Sequence, residues 1–421
     1  MHRALAFIAL MFFVCGFALG LNPILVPVLQ QSLGVTSFQS YWIVAASFVP
    51  FLLWGYPAQR TILALGYKRT MALAFLIFAA AFGVYACAAA TAGFALYLAA
   101  SFLSGTANAF LQATINPYVT ILGPRRSAAR RISLMGICNK LAWPLPSLFI
   151  VWLIGKQVAD LAVADLYTPF FILIAITLAL ALACLLIPLP DIRTTTAGDA
   201  EAPRLDATDD SPYAASKTSV WQFPHLWLGA LALFLYVGVE TVSLSTAVDY
   251  AVGLGLPHPD RYAWIAPVGM TVGYLFGVVA IPRWISQAAA LRLCSAVAIL
   301  GSILVPTLPP QLSIWALALL ALGCSLMWPA IWPLASADLG RFAPQGNSLL
   351  TMSIAGGAVV PTLFGLLNDL NAALADASLE AGTVLSGAAP ALHSHQASYW
   401  ICLPCFLFIL YYGLSGHKLR R

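Results

Sequence analysis

The sequence predicts an all-α polytopic membrane protein of twelve transmembrane helices, built as two pseudo-symmetric six-helix halves. Three observations lead there. Hydrophobic residues make up 61% of the 421 positions and charged residues only 8%, with a mean hydropathy of +0.88, which leaves too little polar surface for a soluble globule. Apolar runs of about 20 residues, the length a helix needs to cross roughly 30 Å of hydrocarbon, recur along the whole chain. A barrel would show short alternating segments instead. One long polar stretch, 189–220, parts these runs into six and six; it sets Asp199, Glu201, Asp206, Asp209 and Asp210 among Ala, Ser, Thr and Pro, the composition of a flexible linker. The expected units are a bundle over 1–188, the linker 189–220 and a bundle over 221–421.

The first half is expected to cross near 4–31, 38–59, 70–90, 94–121, 132–155 and 167–188. His2 and Arg3 precede an apolar run longer than a signal-peptide core, so the first span is read as retained. Pro23 and Pro27 in that span remove backbone donors and bend the helix, which frees carbonyls tolerable only where protein or water satisfies them. Asn22 beside them marks a candidate site. The second and third spans meet at Gly66-Tyr67-Lys68-Arg69, a short loop. The fourth carries Asn108, Gln112 and Asn116, which share one face of a helix. An unsatisfied polar group in hydrocarbon costs roughly 2–7 kcal/mol, so this stripe is expected to turn toward the bundle interior. In the fifth span Asn139 and Lys140 lie about two turns in from the basic run Arg125 to Arg131. A lysine at the bilayer centre costs about 2.5–3.5 kcal/mol unless it snorkels to the interface or takes a partner, and both outcomes stay open for Lys140.

The second half is expected near 222–250, 262–283, 287–307, 313–338, 346–367 and 398–415. Glu240, near the middle of the seventh span, is a functional candidate because a carboxyl group there can use protonation as a switch. Asp249 reads as a boundary residue at the outer end, and Ser243, Ser245 and Thr246 could line the same path as Glu240. In the tenth span Trp328 and Trp332 share a face; tryptophan is most often an interfacial anchor, but at mid-span the Trp328 indole can stack on a sugar ring. The eight cysteines fall almost entirely inside spans and behave as small hydrophobes, Cys402-Leu-Pro-Cys405 included.

The cations set the topology. With the N-terminus inside, Arg3, Arg60, Lys68, Arg69, Arg125, Arg126, Arg130, Arg131, Arg193, Arg204, Lys217, Arg283, Arg292, Arg341, Lys418, Arg420 and Arg421 face the cytoplasm, against Lys156 and Arg261 outside. Both termini are therefore expected to be cytoplasmic, and the net charge of +5 implies no nucleic-acid partner. There is no phosphate-cradling loop and no serine nucleophile motif, and Cys402-Leu-Pro-Cys405, although it has the spacing of a redox or metal motif, lies in an apolar helix with no second ligand pair. His2, His225, His258, His393, His395 and His417 fall at ends or in loops, none paired with a carboxylate by spacing. An enzyme is not expected, nor any cofactor or metal beyond a co-transported sodium ion or proton. The expected partners are the lipid bilayer and a small molecule, with the chain working as a monomer.

The halves echo each other, as in transporters built from repeats. Six plus six spans joined by an inner linker resemble the major facilitator superfamily. Leu111-Gln112-Ala113-Thr114-Ile115-Asn116-Pro117-Tyr118, followed by Ser127 to Arg131 and by Asn139-Lys140, resembles the fucose, galactose and glucose symporter family, closest to its bacterial glucose/galactose branch. Asn22 with Leu25 and Pro27, Tyr236 with Glu240, Ser325 to Pro329, and Ser348 to Gly357 support it. The resemblance implies secondary uptake of a neutral hexose of the glucose, galactose or mannose type through the inner membrane, coupled to protons or sodium. Asn22, Asn108, Gln112, Asn116, Asn139, Glu240 and Trp328 would bind sugar, and Glu240 and Lys140 would serve coupling. The fucose-permease branch carries acids where this chain has Pro23 and Gln112, and many members an arginine where it has Gly273-Tyr274. Proton handling by those acids cannot be carried over. An uncoupled facilitator and a transport-dead sugar sensor are the alternatives; an exporter of amphipathic compounds fits the amide stripe poorly.

Overall fold

The computed structural model describes residues 2–121, 128–187, 212–281, 284–380 and 394–419. Twelve helices in them are long and apolar enough to cross a membrane: α1 (Leu5–Leu33), α2 (Ser37–Gly55), α3 (Ala64–Thr91), α4 (Phe94–Asn116), α5 (Leu134–Ile154), α6 (Val163–Leu186), α7 (Pro224–Ser245), α8 (Pro259–Ala280), α9 (Gln287–Thr307), α10 (Pro310–Ser336), α11 (Ser348–Leu374) and α12 (His395–Lys418). They form two six-helix halves, α1–α6 and α7–α12, and make this a multi-pass membrane protein. The linker expected at 189–220 lies largely outside the described residues, as do Arg125, Arg126, Arg193, Arg204, Arg283 and His393.

The breaks fall where the backbone chemistry demands them. α1 is interrupted between Leu19 and Asn22, with Pro23 opening the second piece. α5 is interrupted at Trp143–Pro144, and α10 between Cys324 and Met327. A proline cannot donate to the turn before it, so each break marks carbonyls freed within the span. The seventh span, expected as one helix to 250, stops at Ser245 and resumes as Ala247–Gly253. The loop expected between the second and third spans is replaced by one helical stretch, Trp42–Thr91, broken only at Gly66. Arg60, Leu63, Ala64 and Leu65 are sound helix formers, and one glycine at φ 78° is enough to turn the chain.

Packing within each half depends on close backbone approach. A β-carbon at Gly16 would collide with the carbonyl oxygen of Asn139, and one at Gly20 with that of Trp143, so α1 lies directly on α5. In the second half Gly356 of α11 meets the backbone of Phe234 on α7 in the same manner. Lipid offers no hydrophobic drive for helix association, so van der Waals contact through small residues holds such pairs.

The halves also meet each other, most visibly at the end away from the chain termini. There α2 begins with Thr36 and Gln39 in a reciprocal capping box, and its first backbone N–H groups, of Ser37 and Phe38, donate to the two carboxylate oxygens of Asp369 on α11, each at 2.9 Å. Asn368 adds a bond to the Ser37 hydroxyl at 3.1 Å, and the ring of Tyr41 packs on that of Phe364.

Candidate functional site

The helical stretch Ala128–Ala142 ends two residues after Lys140, at the Trp143–Pro144 break, and delivers the ammonium to the middle of the molecule. Lys140 Nζ stands 3.1 Å from Glu240 Oε1, with both side chains buried. The pair joins the two halves. Tyr236, one turn before Glu240 on α7, donates its hydroxyl to the same carboxylate oxygen at 2.5 Å. The Lys140 ammonium also lies 5.4 Å from the centre of the Trp143 ring. On the other flank Trp328 packs 6.4 Å from Tyr236 and 5.2 Å from Trp332, centre to centre. Lys140 therefore does not snorkel: a carboxylate is within reach, and a buried charge without a partner would cost far more than the bend of a side chain. Tyr236 is the residue that sequence reasoning undervalued, although its i, i+4 spacing from Glu240 puts the two on one face.

The amides divide. Asn22, just past the break in α1, is buried; its Oδ1 accepts a long bond of 3.4 Å from Ser47, and its Nδ2 meets no acceptor among the described residues. Asn139 donates to the Phe12 carbonyl at 3.0 Å across the glycine seam between α5 and α1. Asn108 is expended on packing: its Nδ2 donates to the Cys15 carbonyl at 3.2 Å and its Oδ1 accepts from Gln112 at 3.0 Å. α4 lies against α1 at that level, and both ends of the Asn108 amide are engaged within the protein. Gln112 is half-buried and Asn116 is exposed, so the stripe runs from the interior out toward the end that carries the termini. Lys140, Glu240 and Trp328 come together around Tyr236; Asn22 and Asn139 sit on the two helices of the seam that leads to Lys140.

A second polar cluster lies at the far end. Asp249, expected at a membrane boundary, lies just past the end of α7; it is buried there and accepts two bonds on one oxygen, from the Tyr41 hydroxyl of the other half and from His395 Nε2, each at 3.1 Å. Nothing in the spacing of Tyr41, Asp249 and His395 along the chain announces this meeting. A cavity of about 470 Å³ between α8 and α10, lined by His258, Arg261, Tyr262, Trp264 and Trp315 among others, belongs to the same end and not to the Lys140–Glu240 site.

Buried charges joined across two helical bundles, with amides and indoles around them, suit the binding and release of a polar solute, and the relatives agree. The profile of the Major Facilitator Superfamily matches residues 7–362. The glucose/galactose transporter of Brucella abortus is 30% identical over 429 residues, spanning 99% of this chain and 94% of that one. The L-fucose-proton symporter of Escherichia coli is 25% identical over 394 residues, 86% of each chain. Among solved structures, the transporter FucP in its outward conformation superposes with a TM-score of 0.67 at 23% identity, covering 99% of this chain and 98% of that one, a likeness of fold. These are transporters and not enzymes, and the chain belongs to the Major Facilitator Superfamily and, within it, to the fucose, galactose and glucose symporter family.

Proposed function

We propose that this protein carries a neutral hexose of the glucose, galactose or mannose type across the bacterial inner membrane by alternating access of its two halves. The observation that carries the reading is the Lys140–Glu240 pair, a buried charge link between the halves with Tyr236, Trp143 and Trp328 around it. Each amide offers both donor and acceptor to sugar hydroxyls, and the Nδ2 of Asn22, without an acceptor among the described residues, is a donor in waiting. The names of the relatives in Brucella abortus and Escherichia coli support a sugar as the solute. With both termini taken as cytoplasmic, the end at which Asp369 joins the two halves is the outer one.

Alternating access requires the halves to part and meet again around the solute. Lys140 and Glu240 cannot separate as bare charges in this setting, so each must exchange its partner when the halves move. A proton or sodium ion on Glu240 supplies that exchange, while sugar hydroxyls take up hydrogen bonds from Lys140 and Asn22. Uptake of labelled glucose, galactose, mannose and fucose into proteoliposomes under imposed proton or sodium gradients tests the reading. Accumulation of at least one is expected; no uptake of any of them overturns it.

An uncoupled facilitator is the second reading. It is favoured by one observation: Glu240 already holds a tethered cation, Lys140, and needs none from solution. Sugar counterflow without accumulation under any gradient would establish it in place of symport.

A further inference from the structure

We infer that Asp249, His395 and Tyr41 form a proton-binding latch that holds the two halves together at the far end. This goes beyond the sugar reading and needs no sugar to be tested. The geometry is specific. One oxygen, Asp249 Oδ2, accepts from Tyr41 of α2 and from His395 Nε2 of α12, at 3.1 Å each. Only the Tyr41 bond crosses between the halves. Immediately beside it the same two halves are joined by Asp369 on the Ser37 and Phe38 amides and by Asn368 on Ser37.

Histidine is the side chain whose ordinary titration falls between pH 5 and 8. When hydronium gives a proton to His395, an N–H bond forms on the ring and the imidazolium draws electron density toward itself from the Asp249 carboxylate it touches. The carboxylate stays ionised, but the oxygen that accepts from Tyr41 is now shared with a full positive charge. The cross-half bond therefore weakens when the proton binds and recovers when it leaves, because charge-assisted hydrogen bonds owe their strength to the uncompensated charge of the acceptor. The other groups around the pair do not remove this response. Tyr399 of α12 and Tyr250 next in the chain are neutral phenols. Asp369 of α11 is held by two backbone donors. The turn Pro259–Trp264, packed on the Ala247–Gly253 piece, brings Asp260 and Arg261 of opposite sign together with Tyr262. The α1 piece Asn22–Leu33, also packed there, has no titratable side chain. The latch therefore loosens in acid at the end of the molecule where it sits.

Hydrogen exchange of residues 34–41 in the full chain, held in lipid nanodiscs, reads the latch without substrate. After correction for intrinsic rates, the parent is expected to exchange about three- to tenfold faster there at pH 5.5 than at pH 8. His395→Gln should keep the slow rate at both values, and Tyr41→Phe should be fast at both. Equal protection of the parent at the two pH values, an acid response that survives in His395→Gln, or slow and pH-responsive exchange in Tyr41→Phe would each overturn the latch. None of these outcomes bears on sugar uptake, which is measured separately.

Discussion

Lys140 and Glu240 are each intolerable alone and acceptable together, which makes their mutants diagnostic. Removing one partner of a buried pair costs about 3–5 kcal/mol, because the survivor stays buried and uncompensated, whereas replacing both by apolar residues of similar size is often neutral. Lys140→Met is therefore expected to lower the thermal unfolding midpoint in detergent sharply. The double variant Lys140→Met with Glu240→Leu should recover most of the loss yet transport nothing. Glu240→Gln is expected to keep sugar counterflow and lose gradient-driven accumulation; a variant that concentrates sugar as well as the parent removes Glu240 from coupling. Asn22→Ala should weaken sugar binding about tenfold, the worth of one good hydrogen bond, as read by quenching of tryptophan fluorescence. Both charges stood out in the sequence as mid-membrane anomalies. Their pairing did not, since a hundred residues separate them and hydropathy carries no information about which helix faces which.

At the scale of the element, the spans were legible because each must bury about 20 apolar residues whatever it packs against. The spacing of Asn108, Gln112 and Asn116 also showed a shared face. It did not show that α1 would cover that face at Asn108 and leave it at Asn116, because the cover is the Cys15 carbonyl of another helix. The glycine seam between α1 and α5 is testable: Gly16→Val forces a side chain into the Asn139 backbone, and overpacking of this kind costs typically 1–3 kcal/mol. The expected result is a lower unfolding midpoint together with weaker sugar binding, since Asn139 and Lys140 shift with α5. At the start of α2, Asp369→Asn removes a carboxylate that caps two backbone donors, a loss of about 0.5–2 kcal/mol. Exchange of residues 34–41 should then be faster at every pH, unlike the acid-dependent change expected from the Asp249 cluster.

For the whole molecule, the far-end seal and the midplane pair place the two halves in one arrangement of a cycle that needs at least two. Ser37 and Asn368 touch across the seal, so cysteines at both positions joined by a short cleavable cross-linker should stop transport, and cleavage should restore it. Full activity in the cross-linked protein would mean that this end never opens. The two-bundle architecture was legible from the count of spans and the polar stretch between the sixth and seventh; the arrangement adopted was not, because it depends on contacts such as Asp369 with Ser37 that join residues 332 positions apart. The bare contact of α1 with α5 also has a mechanical side. Where two backbones touch with no side chain between them, there is no cushion to absorb a small displacement. Movement of Asn22 on gripping a ligand passes undiminished to Asn139 and Lys140, much as a gear train without backlash passes on every increment of rotation. A single methyl group at Gly20 would open that train slightly, and the transporter should slip: sugar would still cross, but each cycle would accumulate less of it.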